Sequence, residues 1–336
     1  MLVLDAAAVR RALPMDVAIA GMKEAFAALS SGAAAVPARI HVEQRALGAV
    51  TLFMPALVER EPRAALAVKV VSVFPGNEAR GLARILGAVL VLDAHTGAPV
   101  ALLEGAALTA IRTGAASGAA TDLLARPDAR CAAVFGAGAQ ARTQLEALAA
   151  VRELERAWIF APRRERALAL ADELRGRGEL RGRGELRGRG RIPGDLRVAR
   201  SPAEALAEAD VVATATTSAE PVFADGELAP GVHVNAVGAH RPDAFEIPLE
   251  TVARARVVVD QRSAALAEAG ELVQARLAAA DVAELGEIVL GTRPGRAGPD
   301  ETTLFKSVGV AAQDAVAAAL ALERAQAQGL GTEVAL

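Results

Sequence analysis

The chain has 336 residues, too many for one comfortable hydrophobic core and enough for two domains. It is 53% hydrophobic and 23% charged, a globular composition, and its formal net charge of -3 excludes a nucleic acid held through bulk positive charge. No apolar stretch is long enough to cross a bilayer without charges or Gly/Pro interruptions, and the single cysteine excludes an internal disulfide, so a cytoplasmic, reducing location away from membranes is expected.

Residues 14–31 read as a helix, with Val17, Met22, Phe26 and Leu29 at helical spacing, Pro14 and Asp16 at its start and Gly32 as its stop. Short strands are expected at 49–54, 66–74 and 87–92. Asp93-Ala94-His95-Thr96-Gly97 carries turn chemistry between two apolar runs and predicts a hairpin. The first hundred or so residues therefore look like an α+β unit with an antiparallel or mixed sheet. Residues 108–124 predict a helix of small residues that permits close packing.

Beyond this helix the pattern changes. Apolar strands are expected at 131–135, 157–160, 198–199, 211–215, 232–237 and 257–259, with helical segments between several of them. That alternation predicts a parallel, doubly wound sheet running from about Arg130 to Leu304. Cys131 opens the first of these strands with only Arg130 as a basic neighbour, so it reads as a buried structural thiol. From about Ser307 an Ala-rich helix runs to Gly329 and is expected to return to the first domain. One segment breaks the pattern: Glu-Leu-Arg-Gly-Arg-Gly occurs three times in tandem from Glu173 to Gly190. Its glycines disfavour a helix, so residues 173–191 are expected to form a flexible surface loop. Without aromatics, the Arg/Gly tract is a weak candidate for RNA binding.

The loop Gly136-Ala137-Gly138-Ala139-Gln140-Ala141 follows a strand and opens a helix, which is the setting a dinucleotide fingerprint requires. Gly136 allows the tight turn, Gly138 lets the backbone approach a pyrophosphate, and Ala141 permits close helix–strand packing. The pyrophosphate would rest on the helix N-terminus. An NAD-type site wants a carboxylate at the end of the next strand. Here Ala161-Pro162-Arg163-Arg164 stands instead, which favours a 2′-phosphate and predicts NADP(H), with NAD(H) as the alternative cofactor.

Three basic residues stand in apolar or strand-flanking settings. Lys69 sits mid-strand in Ala67-Val68-Lys69-Val70-Val71, where an ammonium is costly unless paired or functional. The bland reading is an edge-strand lysine facing solvent. Arg112 lies in a small, apolar helix, and its fork suits a carboxylate; the bland reading is a helix-surface arginine. Arg39, after Pro37, precedes a strand. No metal site is expected.

The chain resembles the ornithine cyclodeaminase/mu-crystallin family over nearly its full length. The matching pieces are Pro37-Ala38-Arg39, Met54-Pro55, Lys69, Leu108-Thr109, Arg112-Thr113-Gly114-Ala115-Ala116, Gly136 to Gln140, and Thr214-Ala215-Thr216. Gly231 to Gly238, Glu284-Leu285-Gly286-Glu287 and Phe305-Lys306-Ser307-Val308-Gly309 complete the series. The resemblance implies a homodimer and an α/β fold: a Rossmann doubly wound sheet inserted in an α+β substrate-binding and dimerisation domain. Residues 1–115 with 307–336 would form the latter and 116–306 the former. It also implies that Arg39, Lys69 and Arg112 hold the carboxylate of an amino or imino acid beside Val308. Thr216, Ala236, Val237, Gly238 and Ser307 would serve the cofactor.

Cyclodeaminases of this family have an Asp where this chain has His240, in Gly238-Ala239-His240-Arg241-Pro242-Asp243. The position matching their ribose carboxylate is Ala161. Both departures point toward the mu-crystallin-like ketimine reductase branch. The expected activity is NAD(P)H-dependent reduction of small carboxylated cyclic imines. Arg39 and Arg112 would grip the carboxylate, Lys69 would polarise or protonate the imine nitrogen, and His240 would assist as an acid. The alternatives are an ornithine cyclodeaminase or alanine-dehydrogenase-like deaminase, and a cofactor-dependent small-ligand-binding protein.

Overall fold

The computed structural model describes residues 1–62, 64–181 and 192–335. The chain divides into two compact units, Met1–Arg112 with Val310–Leu336, and Thr113–Gly309.

Unit 1 begins with β1 (Leu2–Leu4), α1 (Ala6–Ala12) and α2 (Met15–Ser31). Pro14 stands at the N-cap of α2 and Gly32, in the left-handed conformation, at its C-cap. The strands β2 (Ala34–Ala35), β3 (Ile40–Gln44), β4 (Ala49–Val58), β5 (Ala65–Val73), β6 (Ile85–Leu92) and β7 (Pro99–Glu104) follow, and α3 (Gly105–Leu124) leads out of the unit.

Unit 2 contains β8 (Cys131–Phe135), α4 (Ala139–Val151), β9 (Arg156–Phe160), α5 (Arg164–Arg181), β10 (Asp195–Val198), α6 (Pro202–Leu206) and β11 (Val211–Thr214). It continues with β12 (His233–Ala236), α7 (Leu249–Arg254), β13 (Arg256–Val259), α8 (Arg262–Glu268), α9 (Gly270–Gln274), β14 (Ala283–Glu284), α10 (Leu285–Val289) and β15 (Thr303–Lys306). The chain ends in unit 1 with α11 (Ala311–Gln328) and β16 (Thr332–Glu333).

The sheet of unit 1 is mixed. Its strand order is β16-β1-β7-β6-β5-β4-β2, with β3 also paired to β4. β1 runs parallel to β7, and the pairs from β4 to β7 are antiparallel. On β4 and β5 burial alternates with the strand period, so Met54, Ala56 and Val58 share the inward face with Ala65 and Ala67. α11 packs across β4, β5 and β6 and against α2. Its Ala-rich sequence suits that position, since a helix apolar on nearly every side is a buried one.

The sheet of unit 2 is parallel, in the order β10-β9-β8-β11-β12-β15-β13-β14. The order reverses between β8 and β11, which makes their carboxyl ends a topological switch point, the place where open α/β sheets bind ligands. Cys131 is buried in the core of this unit, and burial followed by Asp210 pushes its thiol up to about 11.

The flexible loop expected at 173–191 is corrected in its first part: α5 continues as helix to Arg181. Leu174 is fully buried among Leu170, Ala171 and Leu196, Glu173 pairs with Arg142 of α4, and Arg175 donates to the carbonyl of Leu196 at 2.6 Å. This packing overrides the poor helix propensity of the glycines. Residues 182–191 lie outside the described residues.

Candidate active site

Lys69 stands at the middle of β5, between Met54 of β4 and Val89 of β6. The period of the strand turns it to the inward face, where it is 3% exposed. It is therefore neither at an edge nor in solvent. Its Nζ lies 2.6 Å from Oδ2 of Asp314, in the first turn of α11. The same carboxylate takes Arg112: Nε donates to Oδ1 at 3.1 Å, and Nη1 donates to Gln313 Oε1 at 2.8 Å. Arg112 and Asp314 are 7% and 1% exposed, so the bland reading of Arg112 as a surface residue is excluded as well. Nη2 is the part of the Arg112 fork with no partner among the described residues.

Burial lowers the Lys69 ammonium to about 8, Asp314 pulls the other way, and the charges of Arg112 and Arg39 reinforce the lowering. Arg39, half-buried just before β3, is thus close enough to act on Lys69. Lys69 and Arg112 share the one carboxylate of Asp314, which leaves an excess of positive charge, a setting for a small anion.

In unit 2 the predicted cofactor residues gather at the carboxyl ends of the parallel strands. Gly136 to Ala139 follow β8, Arg163 and Arg164 follow β9, Thr216 follows β11, Val237 and Gly238 follow β12, and Ser307 follows β15. Gly136 has φ +117°, and a Cβ there would lie 2.5 Å from the carbonyl oxygen of Ala215, so only glycine fits. Gly138 caps α4 without a side chain, and a Cβ built on it meets nothing within 4 Å. The open space above an uncapped helix N-terminus is a cradle that a pyrophosphate could enter. Ala141 is fully buried in the layer between α4 and the sheet. Arg163 and Arg164 are exposed at the start of α5.

Two buried carboxylates shape the neighbouring loops. Glu246 accepts from the backbone N–H of Thr216 at 2.8 Å, Gly238 at 2.7 Å and Ala239 at 3.1 Å, and from the Thr214 hydroxyl at 3.2 Å. Gly238 needs its lack of a side chain here, because a Cβ would lie 2.3 Å from Glu246 Oε2. Asp260 accepts from the Ser307 hydroxyl and the N–H of Val308, both at 2.9 Å, and from the N–H of Gly309 at 2.7 Å and Gln261 at 2.8 Å. Burial raises both carboxyls, and these hydrogen bonds oppose it. Behind them Lys306 donates to the carbonyl of Ala239 at 2.6 Å and pairs with fully buried Glu271 at 3.2 Å.

Ala236 is fully buried, backbone included, with its carbonyl taken by the N–H of Ser307 at 3.1 Å, and the Ser307 hydroxyl is already committed to Asp260. Val308 is half-buried, its N–H taken by Asp260. His240 is exposed, with Nδ1 3.2 Å from the carbonyl oxygen of Gly238. Among the described residues no group of three or more His, Cys, Asp or Glu could hold a metal ion, and no helix is long and apolar enough to cross a membrane.

The sequence profile of the ornithine cyclodeaminase/mu-crystallin family matches residues 1–329. The chain belongs to this family. It is 39% identical over 289 residues to a Delta(1)-pyrroline-2-carboxylate reductase of Bacillus cereus, covering 84% of each chain. Among solved structures, the Delta(1)-pyrroline-2-carboxylate reductase of Thermococcus litoralis, in complex with NADH and L-proline, superposes with a TM-score of 0.90 at 39% identity, over 99% of this chain and 100% of that one. An archaeal alanine dehydrogenase dimer with bound NAD superposes with a TM-score of 0.88 at 28% identity, over 100% of this chain and 99% of that one.

Sequence reasoning missed Asp314, Glu246 and Asp260. Asp314 had a signal: a lone carboxylate in Ala311-Ala312-Gln313-Asp314-Ala315-Val316, a run that must pack. The other two lie outside any periodic pattern and become visible only through the backbone groups they satisfy.

Proposed function

We propose that the chain is an NAD(P)H-dependent reductase of small carboxylated cyclic imines, of which pyrroline-2-carboxylate is the model substrate. The observation that carries this reading is the buried Lys69–Asp314–Arg112 cluster in unit 1, cationic overall with Arg39, in a chain whose unit 2 carries a dinucleotide-type loop at the switch point of its sheet. The relatives that act on this substrate, and the one solved with NADH and L-proline, support it.

Arg39 and the Nη2 of Arg112 bind the substrate carboxylate and fix the imine in place. Lys69 holds the proton that the imine nitrogen takes up as the bond is reduced. When bound, the nicotinamide supplies the hydride. Gly136, Ala137, Gly138, Ala139 and Gln140 hold the pyrophosphate, and Thr216, Ala236, Val237, Gly238 and Ser307 line the nicotinamide side. Val308 borders the substrate, and His240 assists as an acid from its exposed loop.

NADP(H) is the preferred cofactor of this proposal, because Ala161 stands where an acidic residue would read the ribose and two arginines follow. The enzyme works as a homodimer. Ile40, Val42 and Phe53 form an exposed apolar patch on the paired strands β3 and β4, and the archaeal relative was solved as a dimer. Val42→Glu should convert the dimer to monomer in light scattering; an unchanged mass would remove this surface from the proposal.

The test of the activity is cofactor oxidation with pyrroline-2-carboxylate, piperideine-2-carboxylate and pyruvate plus ammonia, alongside ammonia release from L-ornithine. Fast turnover of the cyclic imines supports the reading. Faster ammonia release from L-ornithine, or faster reductive amination of pyruvate, would replace it.

A further inference from the structure

We propose that Asp314 is a positioning residue of the reductase: its carboxylate, shared between Lys69 and Arg112, holds the Lys69 ammonium in place and keeps it protonated until the imine takes its proton. This inference rests on the reading of Lys69 given above and assigns a role to a residue outside it.

The geometry is specific. Asp314 sits in a helix otherwise built of Ala, Val, Leu and Gln over its first three turns, at 1% exposure, where a carboxylate is costly unless paired. Its two oxygens meet two different cations, Nζ of Lys69 at 2.6 Å and Nε of Arg112 at 3.1 Å. One group therefore fixes both the proton donor and the carboxylate grip. Gln313 completes the arrangement: its Oε1 accepts from Arg112 Nη1 at 2.8 Å and from the N–H of Val310 at 3.3 Å, which ties the arginine to the N-terminus of α11. A packing role for the helix alone would call for Ala or Leu at 314, as at its neighbours.

Among the described residues, the charges that act most strongly on Lys69 come from three segments. β4 and β6, which flank it, carry no titratable residue, and neither does the rest of β5. α11 presents Asp314, α3 presents Arg112, and the segment before β3 presents Arg39. Asp314 is the one anion of this group. Burial and the two guanidiniums favour the neutral amine, and Asp314 opposes them, leaving Lys69 near 8. Without that carboxylate the lysine would lose its proton at lower pH and would no longer be tethered.

The Nζ–H bond of Lys69 breaks as a new N–H bond forms on the imine nitrogen, and the neutral lysine regains a proton from solvent. The hydride that reduces C=N to C–N would be supplied by the nicotinamide when bound, which would be oxidised in turn.

The experiment is the pH profile of kcat with pyrroline-2-carboxylate and saturating cofactor, for wild type, D314N, D314E and K69M. The wild type should lose activity as pH rises through a limb set by Lys69, and K69M should lack that limb. D314N should move the limb to lower pH by about one unit and lower kcat by roughly tenfold or more at neutral pH, with unchanged cofactor affinity. D314E should return the limb to its wild-type position. A D314N limb at the wild-type pH overturns the inference, whatever happens to kcat. A wild-type profile without the limb, or its survival in K69M, overturns the reading of Lys69 instead, so the two failures are distinct. Where D314N does not fold, D314E decides: several-fold lower kcat with the limb in place supports the role, and wild-type kcat overturns it.

Discussion

Asp314 of unit 1 and the pair Glu246 and Asp260 of unit 2 are buried carboxylates satisfied in opposite ways. In unit 1 Asp314 is met by side-chain cations, Lys69 and Arg112. In unit 2 Glu246 and Asp260 are met mainly by backbone N–H groups of loops at strand ends. A carboxylate among side-chain cations sets charge and proton affinity. A carboxylate among amides sets the path of the chain. The first arrangement suits proton chemistry on an anionic substrate, and the second suits a rigid surface for a dinucleotide.

The largest effect that separates the two arrangements is on stability. Asp260→Ala leaves a hydroxyl and three backbone N–H groups without their acceptor. At about 1–3 kcal/mol for each stranded donor, the loss should reach about 4 kcal/mol or more in urea unfolding. A loss under about 1 kcal/mol would show that the loop does not depend on this carboxylate.

Next comes catalysis. Lys69→Met should lower kcat by roughly 10²–10⁴-fold, the usual worth of a positioned general acid, and leave cofactor affinity unaltered. Equal losses in turnover and cofactor binding would blur the division of labour between the units. Glu246→Gln keeps the shape but turns one acceptor oxygen into an NH2 donor, so the N–H of Thr216 or those of Gly238 and Ala239 lose their acceptor. Cofactor affinity measured by fluorescence should fall by roughly tenfold, as loss of about 1.4 kcal/mol implies. A displaced pH limb in this variant would mean that Glu246 acts on charge, like Asp314.

The smallest effect concerns cofactor choice. Replacing Arg163 and Arg164 by Ala should raise the KM for NADPH by several-fold and leave that for NADH nearly unchanged. Equal shifts for both would show that these exposed arginines read no 2′-phosphate.

Much of this was legible in the chain itself. Strand and helix periods located β4 to β6, α2, α3 and most of the parallel sheet, and Gly136 announced the switch-point loop. Lys69 was conspicuous because an ammonium in an apolar strand demands a partner. That partner was hidden: Asp314 binds Arg112 across 202 positions of sequence, and an acidic residue in a first helical turn is ordinarily explained by the helix dipole. The strand order was hidden for a related reason. β15 lies between β12 and β13, which only non-local pairing can decide. The helical end of α5 was missed because Leu174 is held by the core of unit 2, which local propensity does not register.

The central claim is that the cationic cluster reads the substrate carboxylate for reduction of the adjacent imine. The most direct test compares kcat/KM for pyrroline-2-carboxylate with that for 1-pyrroline, which has the same ring and imine but no carboxylate. The account predicts a preference for the carboxylated imine of roughly 10²-fold or more, as expected when a bidentate contact orients the reacting group, and its collapse in Arg112→Met. Equal rates on the two imines, or a preference that survives in that variant, would contradict it.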